Sequence, residues 1–288
     1  MTIVVTGATG NVGRLLVRQL IAGGHRVRAV TRSRLGASAL PDQAEIHLGD
    51  PSNPDIIGEA IDGAAAIFVN PRAVGMGADR LLAMAAERGV GRAVVLSAIN
   101  VDDNPAQQPS RLNGDRNAEV ERAVVDSGME WVALRPTWFP TNAIGMYAPQ
   151  IRSGDVVRGA YADFAESPID LADLAEVATL ALTRSDLVGR KVALTGPESL
   201  NQRELVDRLG QALGRPLTFE EVPPEIARQG MLAAGLNEEF VDAYFARMRR
   251  GIGVPAAVGP ELERLLGRRP ATFAEWAVRH THAFDTAA

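Results

Sequence analysis

No cysteine occurs among the 288 residues, which excludes disulfides, thiolate nucleophiles and thiolate-held zinc or iron–sulfur centres. Its lack fits a reducing compartment. Lysine is nearly as scarce. Of the 30 Lys and Arg residues only Lys191 is lysine, so mechanisms built on an amine base or a Schiff-base nitrogen have one candidate in the whole chain. The four histidines stand at 25, 47, 280 and 282. Only His280 and His282 are close, and a pair is short of the ligand set a metal site needs, so no metal is expected. No apolar run approaches the roughly 18 to 20 residues that cross a bilayer, and the first residues lack the basic and apolar blocks of a secretory signal. A cytoplasmic protein without a membrane partner is expected. The formal charge of −5 comes without a clustered basic surface, which argues against direct binding of nucleic acid.

With 46% hydrophobic residues, the chain can bury a large core as one domain or two closely joined ones. The apolar segment Thr2-Ile3-Val4-Val5 reads as a strand, Arg14 to Ala22 as a helix ended by Gly23-Gly24, and Val27 to Val30 as a second strand. Strand-like segments recur at Glu45–Leu48, Ala65–Val69, Ala93–Leu96, Trp131–Leu134 and Val192–Leu194, with helical stretches such as Asp79–Arg88 and Ala118–Ser127 between them. Strands separated by helices imply an α/β fold, a Rossmann-type doubly wound parallel sheet, and the continuous apolar runs "AIFV" and "AVVL" fit strands covered on both faces. After Pro136 the texture changes to aromatics and prolines, and from about residue 197 it becomes mostly helical. The expected division is a nucleotide-binding core over 1–140, with a returning strand near 190–196, and an interlocked, mostly helical substrate subdomain over 141–288. Asn201 with Glu204 and Thr272 with Glu275 have capping-box spacing, and Asp170 stands where it would cap the helix after it.

Between the first strand and the first helix lies "VTGATGNVG". Gly7, Gly10 and Gly13 repeat every three residues, so the backbone N–H groups and the positive helix end can face a pyrophosphate, with Thr9, Asn11 and Val12 as loop contacts. The alternative is a tight turn serving packing alone. The second strand ends in Thr31-Arg32-Ser33-Arg34. An acidic residue there would accept from the ribose 2′-hydroxyl of NAD, whereas arginine pairs with a 2′-phosphate. Arg32, with Ser33 or Arg34, therefore points to NADP(H). Asp50, followed by Pro51, is placed to accept from the adenine amino group, or is a turn aspartate. Asn70, Ser97 and Pro136 fall at the carboxyl ends of later strands, where ligands of such sheets bind.

The combination "TGATGNVG", "VTRSR", "HLGD", "VVLSA", "DSGMEWVALRP" and "PIDLADLAEVA" resembles the NmrA-like branch of atypical short-chain dehydrogenases/reductases, over nearly the whole chain, and is especially similar to the NADPH-dependent quinone reductases of that branch. The resemblance implies an NADP(H)-binding core with a carboxyl-terminal substrate region. Members of the wider superfamily use Tyr-x-x-x-Lys on one helix face, where lysine lowers the tyrosine pKa. Here Asn113 and Asn117 occupy those two positions, and Leu187 stands four residues before the only lysine. Asn117 can hold a ribose hydroxyl, but no catalytic acid or base is evident. An acceptor that spreads the incoming charge by conjugation, such as a quinone, needs less acid than a simple ketone. Trp138, Phe139, Met146 and Tyr147 follow the sixth strand as an apolar wall for a flat substrate or as glue for the core, with Asn142 as a polar contact. Phe240, Tyr244 and Phe245 read as core or as a cover. Three functions remain open: NADPH-dependent reduction of a quinone-like or other conjugated small molecule, a non-catalytic NADP(H) sensor acting through a protein partner, and biosynthetic reduction of one aromatic intermediate.

Overall fold

The computed structural model describes residues 1–285. In chain order, β1 (Thr2–Val5), α1 (Asn11–Ala22) and β2 (Arg26–Thr31) are followed by a short α2 (Arg34–Ala37) and β3 (Glu45–Leu48). Next come α3 (Gly58–Ile61), β4 (Ala66–Val69), α4 (Pro71–Val74), α5 (Ala78–Glu87) and β5 (Arg92–Leu96). The middle of the chain contains α6 (Pro109–Leu112), α7 (Asn117–Val125), β6 (Glu130–Pro136), α8 (Asn142–Ser153), β7 (Val156–Gly159) and β8 (Ala165–Glu166). The remainder comprises α9 (Leu171–Thr183), β9 (Arg190–Leu194), β10 (Leu200–Asn201), α10 (Gln202–Leu213), β11 (Thr218–Glu221), α11 (Pro224–Ala233), α12 (Glu238–Arg250), α13 (Glu261–Leu266) and α14 (Phe273–Arg279).

These elements form two compact units. The first comprises residues 1–102, 114–136 and 171–194. Its seven strands lie in the order β3-β2-β1-β4-β5-β6-β9, all parallel, which makes it a Rossmann-type sheet. β4 is buried at all four positions, as expected for a strand with helices on both faces. One core layer gathers Val4, Val30, Ile67, Val69, Leu81, Val95 and Val124. The helix α9 belongs to this unit rather than to its neighbours in sequence. Its small and aliphatic residues Leu174, Ala175, Val177, Ala178, Ala181 and Leu182 are buried, and its amino end accepts a bond from Gln19 Nε2 at Ala172 O, 2.9 Å.

Register brings the loops of this sheet to one edge. Val5 lies opposite both Ala29 and Phe68, and Thr31 lies opposite Leu48, so the chain leaves β1, β2, β3 and β4 at nearly the same level. The sheet order also reverses direction around β1 and β4, the switch point where doubly wound sheets open a crevice.

The second unit comprises residues 103–113 and 137–170, together with the chain from Thr195 onward. It is mostly helical around two small pairings, β7 with β11 in parallel and β8 with β10 antiparallel. Its core is built from Ala143, Tyr147, Ile151, Leu205, Leu209, Phe273, Trp276 and Phe284. Both capping boxes form. Asn201 Oδ1 accepts from Glu204 N at 3.0 Å while Glu204 Oε2 accepts from Asn201 N at 2.8 Å, and Thr272 with Glu275 repeats the arrangement. Asn201→Ala removes one half of the first box and should cost about 1 kcal/mol, read as a lower urea midpoint with an unchanged slope.

Candidate cofactor site

The turn after β1 is shaped by glycine where a side chain has no room. Gly7 has a φ of 64°, a left-handed conformation that favours glycine, and a Cβ there would lie 2.8 Å from Asn70 Nδ2. At Gly13 a Cβ would lie 2.2 Å from the Gly7 carbonyl oxygen, so the first turn of α1 packs directly on the loop that precedes it. Gly10 closes this turn by donating its N–H to Gly7 O at 3.0 Å and serves as the N-cap of α1. The helix consequently begins at Asn11, three residues earlier than the apolar spacing suggests. No side chain caps its end and no acidic residue occupies its first turn. The residues fit a diphosphate, whose charge the helix dipole and free N–H groups favour.

Neighbouring side chains brace this turn. Thr6 Oγ1 donates to Phe68 O at 3.0 Å and accepts from Asn70 N at 2.9 Å, tying β1 to the end of β4. Asn70 itself caps α4 through its Oδ1, which accepts from Arg72 N at 3.1 Å. Thr9 stands 3.5 Å from Thr31, hydroxyl to hydroxyl, joining the glycine turn to the end of β2. Asn11 is exposed and Val12 buried.

The four residues at the end of β2 divide their work. Arg32 is exposed, whereas Ser33 Oγ caps α2 by accepting from Gly36 N at 3.4 Å and Arg34 opens that helix. Asp50 is half-buried, and its Oδ1 accepts from Ser52 N at 3.0 Å. That bond, with the Ser52 side chain and the charge of Arg32, outweighs burial and holds the Asp50 carboxyl below its ordinary value. Pro51 beside it is buried.

Further along the edge, Ser97 does not present a free hydroxyl. It is 4% exposed and donates to Glu121 Oε2 at 2.5 Å. Arg135 donates to both oxygens of Glu121, at 3.0 and 2.5 Å, and the Lys191 ammonium lies 3.3 Å from Oε1. The only lysine of the chain therefore closes an ion cluster. Burial pushes the Glu121 carboxyl up, but the bonds from Arg135, Ser97 and Lys191 prevail and lower it. Glu121 lies on the buried face of α7. In sequence, "AEVERAVV" offers only a charged residue at a core-facing helical position as its signal. Pro136 ends β6 buried, and its carbonyl accepts from Ile99 N at 3.0 Å.

Asn113 and Asn117 do not share a helical face. Asn113 terminates α6 and Asn117 opens α7, with Gly114 between them at φ 99°.

In the second unit, Trp138 and Phe139 are half-buried and Asn142 is exposed at the start of α8. Trp138 is tilted against Phe273 with ring centroids 6.4 Å apart. Met146 is half-buried, but Tyr147 is core: it is 3% exposed and donates to Gln202 Oε1 at 2.6 Å.

A parallel sheet whose first turn offers an uncapped helix end, with arginine rather than carboxylate after β2, defines a dinucleotide-binding fold. The chain belongs to the NAD(P)H-binding, NmrA-like family, whose model matches residues 7–185. It is 35% identical to the (4-alkanoyl-5-oxo-2,5-dihydrofuran-3-yl)methyl phosphate reductase of Streptomyces griseus, over 98% of this chain and 99% of that protein. It is 30% identical to an NAD(P)H azoreductase of Xenophilus azovorans, over 99% and 100% of the two chains. The fold matches the NADPH complex of the quinone oxidoreductase QOR2 from Escherichia coli, with a TM-score of 0.81 at 21% identity, covering 97% of this chain and 99% of that one. The protein is an NAD(P)H-dependent oxidoreductase of the atypical short-chain dehydrogenase/reductase type. No helix among the described residues is long and apolar enough to cross a membrane.

The Glu121 cluster carries a pH dependence. A folded-state carboxyl held below its unfolded value of 4.5 contributes stability that is complete above that value and is lost as pH falls through the lowered one. Glu121→Gln should therefore flatten the acid side of the stability profile. Urea midpoints between about pH 3 and 7, spanning the ordinary glutamate range, check this: equal losses in both proteins would contradict it.

Proposed function

We propose that the protein uses NADPH to deliver hydride to a conjugated, quinone-like small molecule. In this reading Gly7, Thr9, Gly10, Asn11, Val12 and Gly13 receive the diphosphate, and Arg32, aided by Arg34, grips the 2′-phosphate. Ser33 contributes through its backbone and α2 cap, and Asp50 with Pro51 flanks the adenine. Asn70, Ser97, Asn117 and Pro136 line the nicotinamide side, and Trp138, Phe139, Asn142 and Met146 of the helical unit serve the acceptor. The bound cofactor would supply the hydride, while these residues orient it.

One observation carries the choice of acceptor. The single lysine is paired with Glu121 at 3.3 Å, and the positions matching Tyr-x-x-x-Lys are asparagines on different helices. Reduction of an isolated ketone would leave a localised alkoxide with no positioned acid. A conjugated acceptor distributes the electron pair and collects its proton from water. The relatives' names agree in this respect. The dihydrofuranone that names the Streptomyces reductase carries a ring alkene with two carbonyl groups on one of its carbons, and azo compounds and quinones are likewise conjugated acceptors.

Following nicotinamide absorbance while NADPH is mixed with simple quinones tests the activity. Tight cofactor binding without turnover across a broad panel of conjugated acceptors would favour a sensor instead. For the cofactor, Arg32→Ala should weaken NADPH binding about 10- to 100-fold, the range of a lost charged hydrogen bond, while NADH affinity changes by less than about threefold for want of a 2′-phosphate. Equal losses for both dinucleotides, measured by calorimetry, would remove Arg32 from this role.

A further inference from the structure

We propose that β3 is an association surface on which a second copy of this chain pairs its own β3, antiparallel and about a two-fold axis through His47. The pairing lies wholly within the sheet-bearing unit and holds whatever acceptor the protein reduces. Among the described residues β3 ends the sheet, with β2 as its one neighbour. Its backbone groups divide between the two sides. Gly49 donates its N–H to Thr31 O at 3.0 Å, and backbone groups alternate in direction along a strand, so His47 and Gly49 turn theirs to β2 while Ile46 and Leu48 turn theirs outward. The Ala44 N–H is taken up by Pro41 O at 2.9 Å, which confines the open edge to those two residues.

A sheet edge is ordinarily blunted by lysine, proline, a bulge or a covering element. The sequence of β3, Glu45-Ile46-His47-Leu48, contains neither lysine nor proline. Beside it runs a cleft of about 540 Å³, lined by Arg34 and Ala37 of α2, by Ile56 and Glu59 at and just before α3, and by β3 itself. Register places Ile46 and Leu48 on the sheet face of Ala29 and Thr31, and His47 on that of Val30. Apolar side chains stand in water around this edge: Leu35 of α2 is 84% exposed, Ile56 58%, Leu48 39% and Ile46 38%. Apolar surface gathered in this way marks an interaction site.

A second β3 answers each of these features. With the axis at His47, Ile46 lies opposite Leu48 of the second copy, and the two exchange both backbone bonds as a hydrogen-bonded pair. Symmetry repeats the exchange at the other end. Ile46 and Leu48 then form cross-strand apolar pairs on one face, and His47 meets its own counterpart at the intervening non-hydrogen-bonded position. Charge selects the antiparallel sense. Thr31 lies opposite Leu48 and exposed Arg34 follows just after it, at the carboxyl end of β3, whereas exposed Asp42 stands just before the amino end. Antiparallel pairing brings Arg34 of each copy towards Asp42 of the other, and parallel pairing would set like charges side by side. Glu45 is already engaged, by Arg28 at 3.3 Å and His47 at 2.9 Å.

Sedimentation of the full chain over a concentration series should show a monomer–dimer equilibrium. Ile46→Lys should weaken it about tenfold, the loss of two cross-strand apolar pairs, with the far-ultraviolet circular dichroism unchanged. Because the chain has no cysteine, single thiols report the register. His47→Cys would bring two Cα atoms to about 4.5 Å, within disulfide reach, and should crosslink under copper–phenanthroline in air. Ile46→Cys would leave its two copies on a diagonal of about 7 to 8 Å, beyond ordinary disulfide reach, and should crosslink far less. A wild-type chain that stays monomeric throughout, a dimer indifferent to Ile46→Lys, or equal crosslinking by both cysteines would each overturn the pairing, and each would leave the reductase reading untouched.

Discussion

The carbonyl oxygen of Gly7 is the point on which the cofactor edge of the sheet depends. It accepts the Gly10 N–H and lies where any side chain at residue 13 would have to be. This close approach lets α1 start inside the loop rather than beyond it, so that its first N–H groups face outward from the end of β1. Thr6 and Asn70 then fix the turn to β4, and the Thr9–Thr31 contact fixes it to β2. A methyl group at residue 13 would push the helix off the loop, and anion binding would fall together with helix packing.

A second centre holds the other end of the same edge. Glu121 gathers a serine, an arginine and the only lysine from β5, β6 and β9 and their ends. A buried carboxylate is tolerated because its oxygens meet several donors. The outcome is mechanical as well as electrostatic: the Ser97 hydroxyl has its proton directed inward, which leaves its lone pairs as the groups it can offer a ligand. The chain's only lysine serves here to tie β9 to α7.

Much of this was legible in the residues because it is local. The glycine spacing, the apolar strands and both capping boxes follow from short patterns that tertiary contacts reinforce. What escaped is non-local or depends on one backbone torsion. The β7–β11 pairing joins residues 156–159 to 218–221, with no periodic signal linking them. Asn113 and Asn117 have helical spacing but are parted by the φ of Gly114. Glu121, a charge at a core-facing position of α7, shows its role only through its partners, and of the two readings open for Tyr147, ligand wall or core glue, burial assigns it to the core. Ser33 is similar: its position beside two arginines suggests a phosphate ligand, while its side chain caps α2.

Confinement of the only side-chain amine to the Glu121 cluster has a practical side. Lys191 is about half exposed, with 49% of its side chain accessible, so once the terminal amine is blocked an acylating fluorophore would find a single ε-nitrogen to modify. A dye attached there would sit at the outer strand of the sheet and neutralise one of the cations facing Glu121. Its emission would then register changes in that carboxylate's surroundings from a known address, without the need to engineer a cysteine.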